Sequence, residues 1–592
     1  MERCGREAER LDRRSNVLSS LRLAAVVGAL ALAGVAVWTS AGGAAWAASV
    51  ALGVAFVALV VVHGRVIRAR DKALAGRRHH ELGLARLAGE LAKLPPRGEG
   101  LPTAGHAYAG DVDLFGKASI LSLVDATQTR FGEARLVSWL DGSSRPADFV
   151  RDLTARQAAV RDLAARPELR ETLAVLGAVA MEGKPDPTPL FAWAESKEGL
   201  GGGAVRAFCR AWPAVVVGTL AVGRLAIHLP LGLLLLPYAV AFAFAFLTRN
   251  RAMIVSQAVT QHEGSVAAYL EMLRAIEGAR FEAPLLVELQ GKLTSGRRAS
   301  EEIGRLATIV GFLEARSNEV FRLFLSPVLL VEQNCVLWLE GWRERAGPRV
   351  REWFEALGTM EALSSLAQLA FDNPDWALPE LTAEPEVDAQ ALAHPLIPAS
   401  RRVANDLGAL GPGRALVVTG SNMSGKSTLL RAIAANAVLG LAGGPVCARA
   451  MRLGPVRVAT SMRIDDSLEQ GISHFYAELK RLKQIVDRAK DGPGVLFALD
   501  EILHGTNTRE RLIGARAVVR SLIKLGALGA VSTHDLALGD LEAELPEAVR
   551  NVHFEEQVEG EIMSFDYKLR AGVVQSSNAL RLMKAVGLEV AP

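Results

Sequence analysis

The sequence predicts a multidomain chain: an all-α body with transmembrane helical hairpins, followed by an α/β domain built around a glycine-rich loop. Three observations carry that prediction. Two long stretches are almost free of charge, the segments between and after them repeat apolar side chains at helical spacing, and three short apolar runs near the C-terminus each stop at a polar turn. A chain of 592 residues holds several such units.

Residues 1–20 read as an arginine-containing tail and residues 21–64 as the first hairpin, because no charged side chain occurs from residue 23 to residue 62. That run allows two membrane crossings of ~20 residues each. Gly42-Gly43 supplies the turn between them, and a cleaved signal segment ending near Ala45 and Ala47 is the alternative. Residues 65–105 read as a linker, rich in Pro and Gly from residue 93 onward, and residues 106–210 as helical. Residues 211–248 form a second hairpin, interrupted by Arg224 and His228 and turned at Pro230. A pair of buried core helices is the alternative there. Helical periodicity resumes over residues 249–372, residues 373–390 are a second linker with prolines and glutamates, and residues 391–592 are the α/β domain.

Positive charge orients the hairpins. Arg10, Arg13, Arg14 and Arg22 precede the first, Arg65, Arg68, Arg70, Lys72, Arg77 and Arg78 follow it, and its connecting turn has none. Arg206 and Arg210 precede the second, with Arg249 and Arg251 after it. The positive-inside rule then places both termini and every large polar segment in the cytoplasm. Cys4, Cys209, Cys335 and Cys447 lack metal-type spacing and suit free thiols in a reducing compartment. A net charge of +3 is too small to mark a nucleic-acid-binding surface, although the basic clusters at residues 292–298 and 343–351 could grip backbone phosphates or simply be solvated helix faces.

The α/β domain holds the chemistry. Val417-Val418-Thr419 feed Gly420-Ser421-Asn422-Met423-Ser424-Gly425-Lys426-Ser427, which matches the phosphate-loop pattern G-x-x-x-x-G-K-[ST]. Backbone N–H groups of such a loop and the following helix N-terminus wrap a polyphosphate, the lysine meets its terminal phosphates, and the hydroxyl of Ser427 reaches Mg²⁺. Residues 495–499 form an unbroken apolar run ending in Asp500-Glu501. The first acid can hold Mg²⁺, and the second can orient or deprotonate an attacking water. A third run, residues 527–531, stops at Ser532-Thr533-His534-Asp535, which puts His534 where a γ-phosphate sensor would stand.

These motifs together resemble the ATPase domain of the MutS DNA mismatch-recognition family over about residues 390–580. The family loop reads G-P-N-M-x-G-K-S-T, with Ser421 here in the proline position and Asn422, Met423 and Thr428 matching. Residues 500–508 are similar to its D-E-x-x-x-G-T-S-T turn, Thr533-His534 to its T-H switch, and His394-Pro395 with Asn405-Asp406 to its entry into the domain. Ser473-His474-Phe475-Tyr476-Ala477-Glu478 resembles S-T-F-x-x-E, with His474 in place of the threonine. In the helical part, Asp113-Leu114-Phe115-Gly116, the turn Thr127-Gln128-Thr129 with Gly132, Trp139-Leu140, Arg156 with Val160, and residues 360–367 resemble the family's core and lever helices.

The resemblance implies a P-loop domain of the ABC type that binds ATP and Mg²⁺ through residues 420–428 and Asp500. It implies catalysis by Glu501, His534 and Asn422 and, across a homodimer of ATPase domains, by Ser473 of the other copy. Helix capping is the plainer role of Ser473. The expected whole is a multi-pass protein of a bacterial inner membrane with a cytoplasmic ATPase, associated with the duplex DNA backbone. Little chain is left for the family's mismatch-reading domain, so mismatch selectivity is not expected. A membrane-remodelling or transport-coupled ATPase is the alternative, and the lack of an L-S-G-G-Q-like run argues against an ordinary ABC transporter.

Overall fold

The structure, a computed structural model, describes residues 1–38, 42–103, 105–180, 188–196, 202–225, 230–260, 263–314, 330–421, 423–462, 474–503, 507–559 and 562–574. A helix-rich N-terminal part with apolar helices precedes a C-terminal α/β domain.

Helices α1 (Glu2–Trp38) and α2 (Gly42–Leu87) pair along their length. Small residues permit the approach: Gly28 faces Leu52, and Ala25 and Ala36 are buried. Outward, Leu23, Val27, Leu30, Val54 and Val57 remain exposed, an apolar surface without a protein partner among the described residues. The expected tail at residues 1–20 is therefore the first half of α1. Residues 65–87, expected within a linker, are likewise α2, because no proline interrupts them and Gly76 and Gly83 are accommodated within the helix. Gly89, at φ +69°, ends α2, and Glu90 donates its N–H to Ala85 C=O at 2.9 Å in a Schellman-type cap. The far end of α2 is anchored in the body by a Lys72–Glu271 pair and by Arg86–Asp372 at 2.8 Å, both of whose side chains are largely buried.

The body follows as α3 (Ile120–Val124), α4 (Arg130–Leu140), α5 (Phe149–Ala164), α6 (Pro167–Ala180), α7 (Thr188–Glu195), α8 (Gly203–Leu225), α9 (Leu231–Thr260), α10 (Glu263–Gly278), α11 (Pro284–Thr294), α12 (Ala299–Glu314) and α13 (Val331–Asp372). Its spine is α13, which buries Trp342, Trp353 and Phe354 against the surrounding helices. Two of the sequence motifs meet on it. Glu361 accepts the N–H of Gln128 at 2.8 Å and of Thr129 at 3.3 Å as well as the Thr129 hydroxyl, and the Ser365 hydroxyl accepts the N–H of Ala126 at 3.0 Å. The Thr127–Gly132 turn is therefore built around an acid from a helix more than two hundred residues away. In α8 and α9, Val215, Val217, Val222, Leu233, Leu235, Leu236, Phe242 and Phe246 are exposed, which is not the packing of buried core helices. The spans Glu2–Trp38, Gly43–Leu87 and Gly232–Asn250 have the length and hydropathy to cross a membrane.

The α/β domain has two sheets. In the small one, β1 (Glu380–Leu381) and β2 (Val387–Gln390) flank β4 (Ala450–Leu453). The stretch at residues 373–390, expected as a linker, is thus built into a sheet, with Val387 and Ala389 facing inward. The large sheet runs β5 (Arg457–Ser461), β6 (Val495–Asp500), β7 (Leu528–Thr533), β3 (Ala415–Thr419), β8 (Val549–Glu559), β9 (Ile562–Ala571), parallel except for β9. Strands β3 and β7 are buried throughout and β6 nearly so, as uninterrupted runs in the middle of a parallel sheet require. Helices α14 (Lys426–Leu441), α15 (His474–Lys490) and α16 (Thr508–Lys524) cover it.

Candidate functional site

Strand order places the site. Because β7 lies between β3 and β6, the loop after β3, the acids after β6 and the histidine after β7 emerge side by side at the carboxyl edge of the sheet. There the Lys426 ammonium, 4% exposed, donates to the carbonyls of Gly420 at 2.8 Å and Ser421 at 2.9 Å and lies 3.2 Å from Glu501 Oε1. Glu501 Oε2 is 3.6 Å from His534 Nδ1. Asp500 accepts the hydroxyl of Ser532, its register partner on β7, and Glu501 N–H donates to Ser532 Oγ at 3.1 Å. Of the residues singled out from sequence, Lys426, Glu501 and His534 are therefore drawn together, with Asp500 next to them. Asn422, Ser473 and residues 504–506 lie outside the described residues.

The loop has the form a polyphosphate needs. Gly420 and Gly425 adopt φ +145° and +112°, and a Cβ on Gly420 would come within 2.9 Å of Ser424 Oγ and Phe554 O. The hydroxyls of Ser421 and Ser424 are buried without a hydrogen-bond partner among the described residues, a costly arrangement that an anion's oxygens would relieve. Lys426 opens α14 directly after the loop, so the helix N-terminus faces the same space.

A cavity of about 780 Å³ continues from the loop, lined by Ser421, Met423, Gly425 to Thr428 and Glu501 on one side and by His394, Ile397, Pro398, Arg401 and Arg402 on the other. It is large enough for a nucleotide. Burial, with a smaller effect of Arg431, lowers His394 to about 4, so the ring is neutral at physiological pH and accepts the Leu396 N–H at 3.2 Å. Sequence reasoning missed Phe554 and Tyr567 in this wall. They come from β8 and β9, and their tie to the loop is spatial: a Cβ on Gly425 would meet Tyr567 Cδ1 at 3.3 Å, and Asn405 Nδ2 donates to the Tyr567 C=O at 3.0 Å.

In the two basic stretches named as phosphate grips, several cations are already engaged. Lys292 pairs with Glu288 at 2.8 Å, Arg297 with Glu302 at 3.3 Å, Arg351 with Glu195 at 2.8 Å, and Arg349 donates to the Lys292 carbonyl at 2.9 Å. All four cysteines are unpaired, and no metal-binding cluster of His, Cys, Asp and Glu occurs among the described residues.

Residues 416–590, which contain Lys426, Asp500, Glu501 and His534, match the family model for MutS domain V. This part of the chain is therefore similar to domain V of the MutS family. The chain is 36% identical over 200 residues to the DNA mismatch repair protein MutS of Granulibacter bethesdensis, covering 32% of this chain and 21% of that protein. It is 33% identical over 250 residues to the DNA mismatch repair protein msh3 of Emericella nidulans, covering 40% of this chain and 22% of that protein. The chain thus spans about a fifth of the length of these curated relatives. The MutS domain V match begins within β3 and takes in the loop, the acidic turn and His534.

Proposed function

We propose that this protein is a MutS-family, membrane-anchored ATPase whose α/β domains pair across a homodimer, bind ATP with Mg²⁺ and hydrolyse it, moving the attached helical body. The observation that carries the reading is the convergence of Lys426, Glu501 and His534 at the mouth of a nucleotide-sized cavity. Residues 420–428 would wrap the phosphates, with Lys426 turning from its loop carbonyls to meet them, and Ser427 and Asp500 would hold the Mg²⁺, which when bound would supply neutralisation of the phosphate charge. Glu501 orients and deprotonates water, His534 senses the terminal phosphate, Asn422 completes the loop, and Ser473 serves the partner's site. Separate measurement of ATP affinity and phosphate release on detergent-purified protein tests this, and a protein that does neither refutes it.

The names of the relatives support an association with DNA. The apolar surfaces of α1, α2 and α9 support an inner-membrane location with a cytoplasmic ATPase. A membrane-remodelling or transport-coupled ATPase is favoured by one specific feature: α2 runs unbroken from the apolar hairpin to Gly89, which packs on Pro398 in the cavity wall. DNA binding measured with and without ATP across a salt series separates the two readings, since backbone contacts weaken steeply with salt.

A further inference from the structure

One buried acid near the site has no assigned chemistry. Glu478, on the first turns of α15, is 2% exposed, and its carboxylate accepts the backbone N–H of Leu503. Its other oxygen has no hydrogen-bond partner among the described residues, so this bond is the tie the side chain makes. Leu503 lies two residues beyond Glu501, and both hold left-handed backbone, at φ +66° and +47°. Side chains other than glycine adopt that conformation only where surrounding structure enforces it. On its β7 side the turn is held by Glu501 N–H donating to Ser532 O at 3.2 Å and Ser532 Oγ at 3.1 Å. On its other side it is held by Glu478.

The same helix reaches the opposite way. One turn on, Arg481 Nε donates to Thr460 C=O at 2.9 Å, and its guanidinium stands 4.0 Å from Asp111 Oδ2. That carboxylate also accepts the Thr460 hydroxyl and, at 3.3 Å, the N–H of Met462. Asp111 belongs to the loop that leads from α2 into the helical body, so α15 touches the body through Arg481 and the acidic turn through Glu478.

We propose that Glu478 is a positioning residue for hydrolysis: it fixes the strained turn that aims Glu501, and through α15 it makes that aim depend on where the helical body sits. The inference rests on the ATPase reading above. What Glu478 supplies is a buried hydrogen-bond acceptor at a set distance, not a charge.

The test compares full-length wild type with Glu478→Gln, Glu478→Asp and Glu478→Ala, each assayed for phosphate release and for equilibrium ATP affinity. Glu478→Gln keeps an acceptor oxygen in place and is expected to retain kcat within about threefold. Glu478→Asp, one methylene short, and Glu478→Ala are expected to lose about tenfold or more in kcat while ATP affinity stays within about threefold. Should the alanine protein fail to fold, the aspartate variant carries the test. Wild-type kcat in Glu478→Asp overturns the proposal, as does a glutamine variant as slow as the aspartate one, or a parallel loss of ATP affinity. If wild type binds ATP and never turns it over, the ATPase reading falls and takes this inference with it. If wild type turns over and the variants match it, the inference alone falls.

Discussion

At the scale of single residues, the proposed reading assigns phosphate holding to Lys426 and water activation to Glu501, and substitutions of the two should separate accordingly. Lys426→Ala removes the buried ammonium beside Glu501 at the glycine-rich loop and should abolish tight ATP binding. Glu501→Gln leaves the loop intact and should retain ATP while turnover falls by about 10²-fold or more, within the range of general-base effects. Nucleotide titration and single-turnover phosphate release distinguish the two; wild-type turnover in Glu501→Gln would remove that residue from its role. His394 yields a pH prediction. Its folded value is lowered from 6.5 to about 4 by burial, so the unfolded chain binds a proton that the folded chain does not between those values. Stability contributed by the neutral ring is present above pH 6.5 and is lost as pH falls toward 4, by on the order of 2–3 kcal/mol. Thermal melts from pH 7.5 to 4.5 should show His394→Gln losing less of its melting temperature than wild type does. Lys426, Glu501 and His534 were legible because each stands just beyond an apolar strand with a recognisable turn. Tyr567 was not, because its place in the cavity depends on β9 folding back antiparallel to β8.

At the scale of elements, acids at the ends and middles of helices tie distant segments together. Glu361 satisfies two backbone N–H groups and a hydroxyl at the start of α4. Glu361→Ala strands those donors in a buried place, and each costs about 1–3 kcal/mol, so a loss of ~3 kcal/mol or more is expected. A clearly lowered melting temperature with ATP affinity retained is the outcome to look for; an unchanged melt would show the turn is held by its own cap at Thr129. The sequence motifs at Thr127–Gly132 and at residues 360–367 were visible separately, and their meeting was not, since hydrogen bonding between segments so far apart leaves no local periodicity. The two stretches read as linkers failed for a related reason. Proline and glycine mark where a chain turns, while β2 and the far half of α2 are ordered by partners, β4 and α6, supplied from elsewhere in the chain.

At the scale of the molecule, two predictions concern how the parts act together. Reporter fusions at about residue 42 should report from outside the cytoplasm, and fusions after Arg78, after Arg251 and at the C-terminus from inside, as the arginine distribution requires. An extracytoplasmic C-terminus would overturn the ATPase reading along with the topology. Mixing a Ser473→Ala copy with a Lys426→Ala copy should recover part of the ATPase activity lost by each alone, because one intact composite site can form in the mixed dimer. Matched and mismatched duplexes should bind within about 1 kcal/mol of each other, against the ~4–10 kcal/mol that separates specific from non-specific binding in sequence-reading proteins. A clear preference for the mismatch in such a titration would place a base-reading element in the helical body.

The sequence by itself determined the local chemistry: a glycine-rich loop before a helix, two acids and a histidine after apolar runs, and apolar stretches long enough to cross a membrane. Those signals are local because strand burial, helix initiation and hydropathy are properties of consecutive residues. Only the tertiary structure decided that β7 lies between β3 and β6, which sets Glu501 between Lys426 and His534. It alone decided that α2 continues into the body and meets the cavity wall at Gly89, and that Glu478 on α15 grips the turn bearing Glu501. Each of these is a pairing between residues far apart in the chain, selected by which buried polar groups could be satisfied at once and which apolar faces could close on one another.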